Sequence, residues 1–296
     1  MRPAASRAEL ESLLEDDVPF GDLTTEALGI GALPGVMRFE ARDSMVLALA
    51  EDASAMIEQT GCRVELWAKS GDVLAPGTAI LTAHGEAAAL LRSWKVAQTL
   101  IEAWSGVATA ARAIVDAARA VSPDIGVACT RKNIPGTKRF AVAAVKAGGA
   151  SMHRLGLSET VLLFPEHHEF LQQVPLADVV RRLRRAAPEK RLVIEVKRMD
   201  MAVEAALAGF DIIQAEKFSP AEIASLVAQL KTLAHVQTRR SLVAAAGGIN
   251  AENAAAYARS GADVIVTSSP YLAKPRDVQV RIAAAESGRQ SITEAA

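Results

Sequence analysis

The chain has 296 residues, 33 Lys or Arg against 34 Asp or Glu, and half of its residues are apolar. That is enough for one large domain or two ordinary ones with a sizeable core. Balanced charge and 4% aromatic residues exclude a broad basic surface and the stacking platforms that hold nucleic acid, so any cationic site is local.

Two cysteines, Cys62 and Cys129, lie far apart in apolar surroundings. They read as buried reduced thiols, which suits a reducing, cytoplasmic setting. No apolar run approaches the roughly 18–20 residues that span a bilayer, so no membrane partner is expected.

In chain order, residues 7–15 have the pattern of an acidic amphipathic helix rather than a signal peptide. Gly21-Asp22-Leu23-Thr24-Thr25 reads as a polar turn. Strand-length runs follow at Val36–Arg42 and Met45–Ala50, then a helical stretch at Glu51–Thr60, then strands at Cys62–Ala68 and Thr78–Ala83. The Gly71-Asp72 to Pro76-Gly77 connection resembles the turns of barrel-sandwich or hammerhead domains. No lysine occupies a hairpin tip suited to lipoylation, so the likeness is architectural. From Glu86 to Val121 the pattern is helical, with a break expected at Ser105-Gly106.

Beyond that point strands alternate with helices. Strand-like runs occur at Ile125–Cys129, Ala150–His153, Leu192–Val196, Asp211–Ala215, Ser241–Ala245 and Asp263–Thr267. Helical stretches occur at Arg139–Ala147, Leu176–Ala187, Met201–Ala208, Pro220–Leu233 and Ala251–Ser260. Alternation predicts parallel βα units. Six or seven units in about 170 residues fit an incomplete barrel better than an open sheet, which would want a Gly-x-Gly-x-x-Gly turn where Thr130-Arg131-Lys132 stands. The expected fold class is therefore α/β: an incomplete, open TIM-like barrel over 109–274, preceded by an α/β sandwich over 1–108. A helix over 275–288 is expected to pack with the sandwich.

Active sites of barrels lie at the C-terminal ends of the strands. Those ends carry Arg131 and Lys132; His153 and Arg154; Glu195 and Lys197; Glu216 and Lys217; Gly247 and Gly248; and Ser268 and Ser269. The strand bodies between them are apolar. Fixed cations at one mouth call for an anion such as phosphate or carboxylate. Gly247-Gly248 leaves amides open before the helix from Ala251, which suits a terminal phosphate, with Ser268 and Ser269 adding hydroxyl donors. Glu195 and Glu216 suit a divalent metal, ribose hydroxyls or a developing cation. His167 and His168 are adjacent and diverge on any regular element, while His84 and His235 read as surface residues.

Taken together, Gly21-Asp22-Leu23-Thr24-Thr25, Ser105-Gly106-Val107-Ala108-Thr109, Thr130-Arg131-Lys132 with Pro135-Gly136, Gly148-Gly149 with His153-Arg154-Leu155-Gly156-Leu157, and Gly247-Gly248 resemble the quinolinate phosphoribosyltransferases across nearly the whole chain. The resemblance implies a hammerhead-type sandwich, an incomplete barrel, and phosphoribosyl pyrophosphate with Mg²⁺. It further implies a homodimer in which Lys95 reaches the partner's site. The family arginine aligns with Lys95, a family lysine with Phe164, and the second acidic residue is Glu216. Val193-Ile194-Glu195-Val196-Lys197 and Ala246-Gly247-Gly248 also depart from the common pattern. This set is similar to the ModD branch associated with molybdenum transport.

The expectation is pentosyl transfer. Lys132, Glu195 and Glu216 are read as catalytic. Lys95, Arg131, His153, Arg154, Phe164, Lys197, Gly247, Gly248, Ser268 and Ser269 are read as substrate-binding, and Mg²⁺ meets Glu195 and Glu216 through the substrate. Two alternatives stand beside it: a Schiff-base aldolase using Lys132, and a non-enzymatic binder of a phosphorylated metabolite or an oxyanion such as molybdate.

Overall fold

The computed structural model describes residues 2–233 and 240–285. His235 lies outside them. Two compact units result: residues up to Gly106 with those from Pro275 on, and Val107–Lys274.

The first unit opens with α1 (Arg7–Asp17). The Ser6 hydroxyl accepts from the Glu9 amide while the Glu9 carboxylate accepts from the Ser6 amide, which satisfies two donors the helix start leaves open. The Gly21–Thr25 stretch, expected as a turn, starts α2 (Leu23–Ala27). Asp22 accepts from the amides of Thr24 and Thr25 at 3.1 and 3.2 Å and so caps a helix too short to show periodicity. Then come β1 (Pro34–Ala41), β2 (Met45–Val46), α3 (Ala50–Gln59), β3 (Arg63–Leu66), β4 (Val73–Leu74) and β5 (Ala79–Glu86). The strand expected over Met45–Ala50 stops at Val46, because Leu49 turns left-handed at φ 59° to enter α3.

The C-terminal segment Val278–Ala284 is a strand, not the helix expected over 275–288 (residues 286–288 are outside the described range). Its Val-Gln-Val-Arg-Ile alternation has the strand period. It pairs antiparallel with β1, placing Val280 opposite Phe39. The four-stranded sheet runs in the order C-terminal strand, β1, β5, β3. Met37, Phe39, Leu81 and Ala83 of its inner face are fully buried, as are Met56 and Ile57 of α3.

α4 (Ala87–Arg119) continues through Ser105-Gly106 without the expected break. A glycine inside a helix costs about 1 kcal/mol. Packing outweighs that: Ala97, Ile101, Ala108 and Ala111 are fully buried, and the Ser105 hydroxyl accepts from the Ala48 amide at 3.0 Å.

The second unit contains β6 (Gly126–Cys129), α5 (Lys138–Ala147), β7 (Ser151–Met152), β8 (Val161–Leu163), α6 (Pro165–His168), α7 (Leu176–Ala186), β9 (Leu192–Val196), α8 (Met199–Ala208), β10 (Ile212–Glu216), α9 (Pro220–Leu233), β11 (Leu242–Ala246), α10 (Ala254–Arg259) and β12 (Val264–Thr267). β8 was not among the expected runs; three residues are too few to register. Its seven strands form one parallel sheet in the order β7-β6-β12-β11-β10-β9-β8. The first strand of the series pairs with the last, as in a closed barrel. The second and third, β7 and β8, stand at opposite edges instead. The barrel is therefore open at one seam, between β7 and β8.

Small residues fill its interior: Ala244, Ala246 and Val266 are buried together against Ile212 and Val264. At the N-terminal rim, aspartates clasp neighbouring strands. Asp263 pairs with Arg240 through two bonds of 2.7 and 3.0 Å and accepts from the Val243 amide. Asp211 accepts from Arg184 at 2.8 Å and from the Leu192 amide at 2.6 Å. Burial pushes the Asp211 carboxyl up, but these bonds outweigh it and hold it below the usual range.

Gly148 ends α5 against α4, where an added Cβ would lie 2.4 Å from the Ala108 carbonyl oxygen and 2.8 Å from the Ala111 side chain. Both obstacles are part of a rigid helix. Gly148→Ala is expected to cost about 1–3 kcal/mol, measured as a lower midpoint in urea unfolding at unchanged slope.

Candidate active site

The C-terminal rim of the seven-stranded sheet surrounds a cavity of about 740 Å³. Strand alternation decides what reaches it. On β10, Gln214 and Glu216 share the inner face; on β9 the inward residue at that level is Glu195; on β11 and β12, Ala246 and Val266 supply the floor. Arg131, Lys132, His153, Arg154, Phe164, Glu195, Glu216, Gly247, Gly248, Ser268 and Ser269 all line this one opening.

Two of the proposed residues lie elsewhere. Lys197 is exposed and borders a neighbouring cavity, with His168 and Met201, that shares Phe164 and Glu195 with the mouth. Lys95 is exposed on the α4 segment of the first unit, where its ammonium donates to Gln98 at 2.8 Å and lies 4.1 Å from the Trp94 ring centroid.

The open seam is bridged at the mouth. Arg154 follows β7 and Phe164 follows β8, and the guanidinium carbon sits 5.2 Å from the ring centroid. The Phe164 ring stacks in turn on His167 at 6.0 Å. Arg154 is only 6% exposed, yet among the described residues no carboxylate pairs with it. Burial, and then the Arg131 charge, push its pKa down, but a guanidinium remains cationic at neutral pH. The guanidinium nitrogens open onto the cavity without a protein counter-ion, which leaves their donors available to an anionic ligand. Beside it, burial followed by the Arg154 charge lowers the His153 pKa. His153 therefore enters the mouth as a neutral imidazole with one donor and one acceptor.

The two glutamates oppose each other electrostatically. Burial, then the Glu216 charge, raise the Glu195 pKa; the hydrogen bond from Gln214 and the charge of Lys197 pull it back, while Glu166 adds to the rise. Gln214 is buried and donates Nε2 to Glu195 at 2.6 Å. Among the described residues no three His, Cys, Asp or Glu side chains gather into a metal cage. Two carboxylates fit Mg²⁺ only in the manner usual for that ion, which shares its coordination with substrate phosphates and water.

At the Gly247-Gly248 turn both residues have positive φ, 92° and 73°. Among the described residues none accepts from the amides of Gly247, Gly248 or Ile249. The helix after them differs from expectation: α10 begins at Ala254, not Ala251. The Asn250 side chain accepts from the amides of Glu252 and Asn253, and Asn253 accepts from the Asn250 amide. These side chains occupy the donors that a longer helix would have presented. The amides left open here belong to the glycine turn itself, not to a helix terminus.

Sequence reasoning missed Gln214, whose two-residue spacing from Glu216 places it on the same strand face. It named Lys217 without a role. Lys217 also lines the mouth, at φ 62°. The two cysteines are free and buried, with Cys129 pushed up to about 12 by burial.

The quinolinate phosphoribosyl transferase C-terminal domain family matches residues 107–281, and the N-terminal domain family of the same enzymes matches residues 22–105. A ModD protein of Rhodobacter capsulatus is 46% identical over 252 residues, 85% of this chain and 95% of its own length. A Methanothermobacter thermautotrophicus protein, named as a carboxylating nicotinate-nucleotide pyrophosphorylase, is 33% identical over 92% of this chain and 97% of its own. Among solved structures, NadC from Streptococcus pyogenes superposes with a TM-score of 0.84 at 25% identity, over 94% of this chain and 96% of that one.

The two glycines of the turn are not equivalent. A Cβ on Gly247 would lie 2.7 Å from Lys217 Cγ and 2.9 Å from both Glu216 Oε1 and the Lys217 nitrogen; one on Gly248 would meet nothing within 4 Å. Gly248→Ala is expected to cost about 1 kcal/mol for its left-handed φ alone. Gly247→Ala is expected to cost about 2–4 kcal/mol, strain plus collision. Equal urea midpoints for the two variants would contradict this reading.

Proposed function

The chain belongs to the quinolinate phosphoribosyltransferase family, and we propose on that footing that it is a pentosyltransferase whose acceptor is less anionic than quinolinate. The carrying observation is Arg154, buried at the cavity wall without an acidic partner and laid against Phe164. In the reaction, a ring nitrogen of an aromatic acid attacks C1 of phosphoribosyl pyrophosphate. The bond from C1 to the pyrophosphate oxygen breaks, and pyrophosphate leaves with the electron pair. Positive charge grows on the ribose, so catalysis rests on positioning and electrostatics.

The division of labour follows the charges. Arg131 and Lys132 hold the pyrophosphate, and Arg154 pairs with the acceptor carboxylate. His153 orients either group through its neutral ring. Glu195 and Glu216 meet the ribose hydroxyls and stabilise the developing cation. The glycine cradle, with Ser268 and Ser269, takes the terminal phosphate. Glu195 and Glu216 would be the residues to hold a substrate-bound Mg²⁺, which would supply charge neutralisation for the pyrophosphate. Lys132 is exposed beside Arg131, which removes the apolar pocket a Schiff-base lysine would use.

Phe164 sets the acceptor. It presents a ring where a second acceptor carboxylate would want a cation. Losing one charge-assisted contact costs about 1.5–3 kcal/mol, roughly one to two decades of affinity. Likeness to the ModD branch supports an acceptor linked to molybdenum uptake rather than to cofactor synthesis. A homodimer completes the site, with Lys95 of the partner subunit reaching the mouth.

Two measurements test this. Pyrophosphate release should be faster with singly charged ring acids than with quinolinate, and Phe164→Lys should raise kcat/KM for quinolinate at least tenfold. Quinolinate turnover as efficient as that with any other acid in the panel contradicts the acceptor reading. Separately, Lys95→Ala and Arg154→Ala should each be inactive alone yet recover activity when unfolded together and refolded as mixed dimers. No recovery would place Lys95 outside the site.

A further inference from the structure

Lys217 is one of two non-glycine residues with positive φ among the described residues. Lysine is strained in that region, where glycine or asparagine is not. The backbone on either side imposes the conformation. The Lys217 amide donates to the Ala246 carbonyl at 2.7 Å, extending the β10–β11 ladder by one residue. The next residue, Phe218, is buried, and its carbonyl accepts from the Tyr257 hydroxyl at 3.0 Å. The chain must turn at Lys217 to satisfy both.

The turn decides where the side chain goes. Lys217 Cγ lies 2.7 Å from the point where a Gly247 Cβ would stand, so the aliphatic stem runs directly past Gly247. The side chain lines the same cavity as the unbonded amides of Gly247, Gly248 and Ile249. Among the described residues no carboxylate forms an ion pair with it.

A phosphate monoester carries about −1.5 to −2 charges at neutral pH. Every donor the cradle offers is neutral: three amides and the hydroxyls of Ser268 and Ser269. Glu216 stands beside it, with Oε1 2.9 Å from the same Gly247 Cβ position, and repels an anion. Lys217 is a cation whose stem passes this corner, beside the repelling carboxylate and the glycine turn. We infer that Lys217 is the charge partner of the terminal phosphate: its ammonium closes over the Gly247–Ile249 amides when a phosphorylated sugar binds. The left-handed backbone at Lys217 aims that charge.

The assignment deepens the pentosyltransferase reading and rests on it. Its test uses calorimetry on the intact protein with two probes. Ribose 5-phosphate carries only the terminal phosphate; inorganic pyrophosphate carries only the leaving group. Lys217→Met is expected to weaken ribose 5-phosphate roughly ten- to a hundredfold and to leave inorganic pyrophosphate within threefold of the parent. Lys217→Arg is expected to retain most of the ribose 5-phosphate affinity. Lys217→Asn, whose side chain suits the left-handed backbone, guards against a folding defect. It should melt at or above the parent temperature and still lose the sugar phosphate.

Unchanged ribose 5-phosphate binding in both Lys217→Met and Lys217→Asn overturns the assignment, as does equal weakening of both probes. If the parent itself binds neither probe nor phosphoribosyl pyrophosphate, the transferase reading fails first. Parent binding with indifferent variants sinks the Lys217 role alone.

Discussion

Every strand of the larger unit points the same way. That constraint governs the rest. In a parallel sheet all the carboxyl ends fall on one rim, so residues from seven separate segments of sequence reach one cavity without any long loop having to carry them there. The strand bodies can then be nearly uniform apolar runs, because helices cover one face and small side chains such as Ala244 and Ala246 fill the other.

The seam is where this unit departs from a closed ring. β7 has two residues and β8 three, and no ladder joins them. What meets across the gap is a pair of side chains, Arg154 and Phe164. The guanidinium is held by a ring face, which is weaker than an ion pair and leaves its hydrogen-bonding donors uncommitted. A carboxylate in that position would have neutralised the arginine and closed the site to anions. The seam contact thus orders the cation while keeping it available.

The fold was largely legible because apolar runs of strand length alternate with helical spacing. Continuous apolar runs ending in charged or glycine residues mark the β6, β9, β10, β11 and β12 ends to within a residue. The helices between them followed from spacing. What stayed hidden depends on partners distant in sequence. The Arg154–Phe164 contact exists because β7 and β8 occupy opposite sheet edges, which no local pattern encodes. The late start of α10 reflects Asn250 and Asn253 bonding to backbone amides, a competition that propensity does not resolve. The C-terminal strand was misread because an Ala-rich tail looks helical, whereas β1 offered it a free edge. Gln214 is hidden for a different reason: it lies inside β10, two residues before the charged end that marks the rim.

The Asp211 and Asp263 clasps occupy the rim opposite the mouth. Cohesion and chemistry are thereby lodged at different ends of the same strands. An exchange such as lysine for phenylalanine at the mouth can accumulate without loosening the ladder beneath it. The architecture is permissive toward drift in what it recognises, and one scaffold can be inherited by lineages that feed it different molecules.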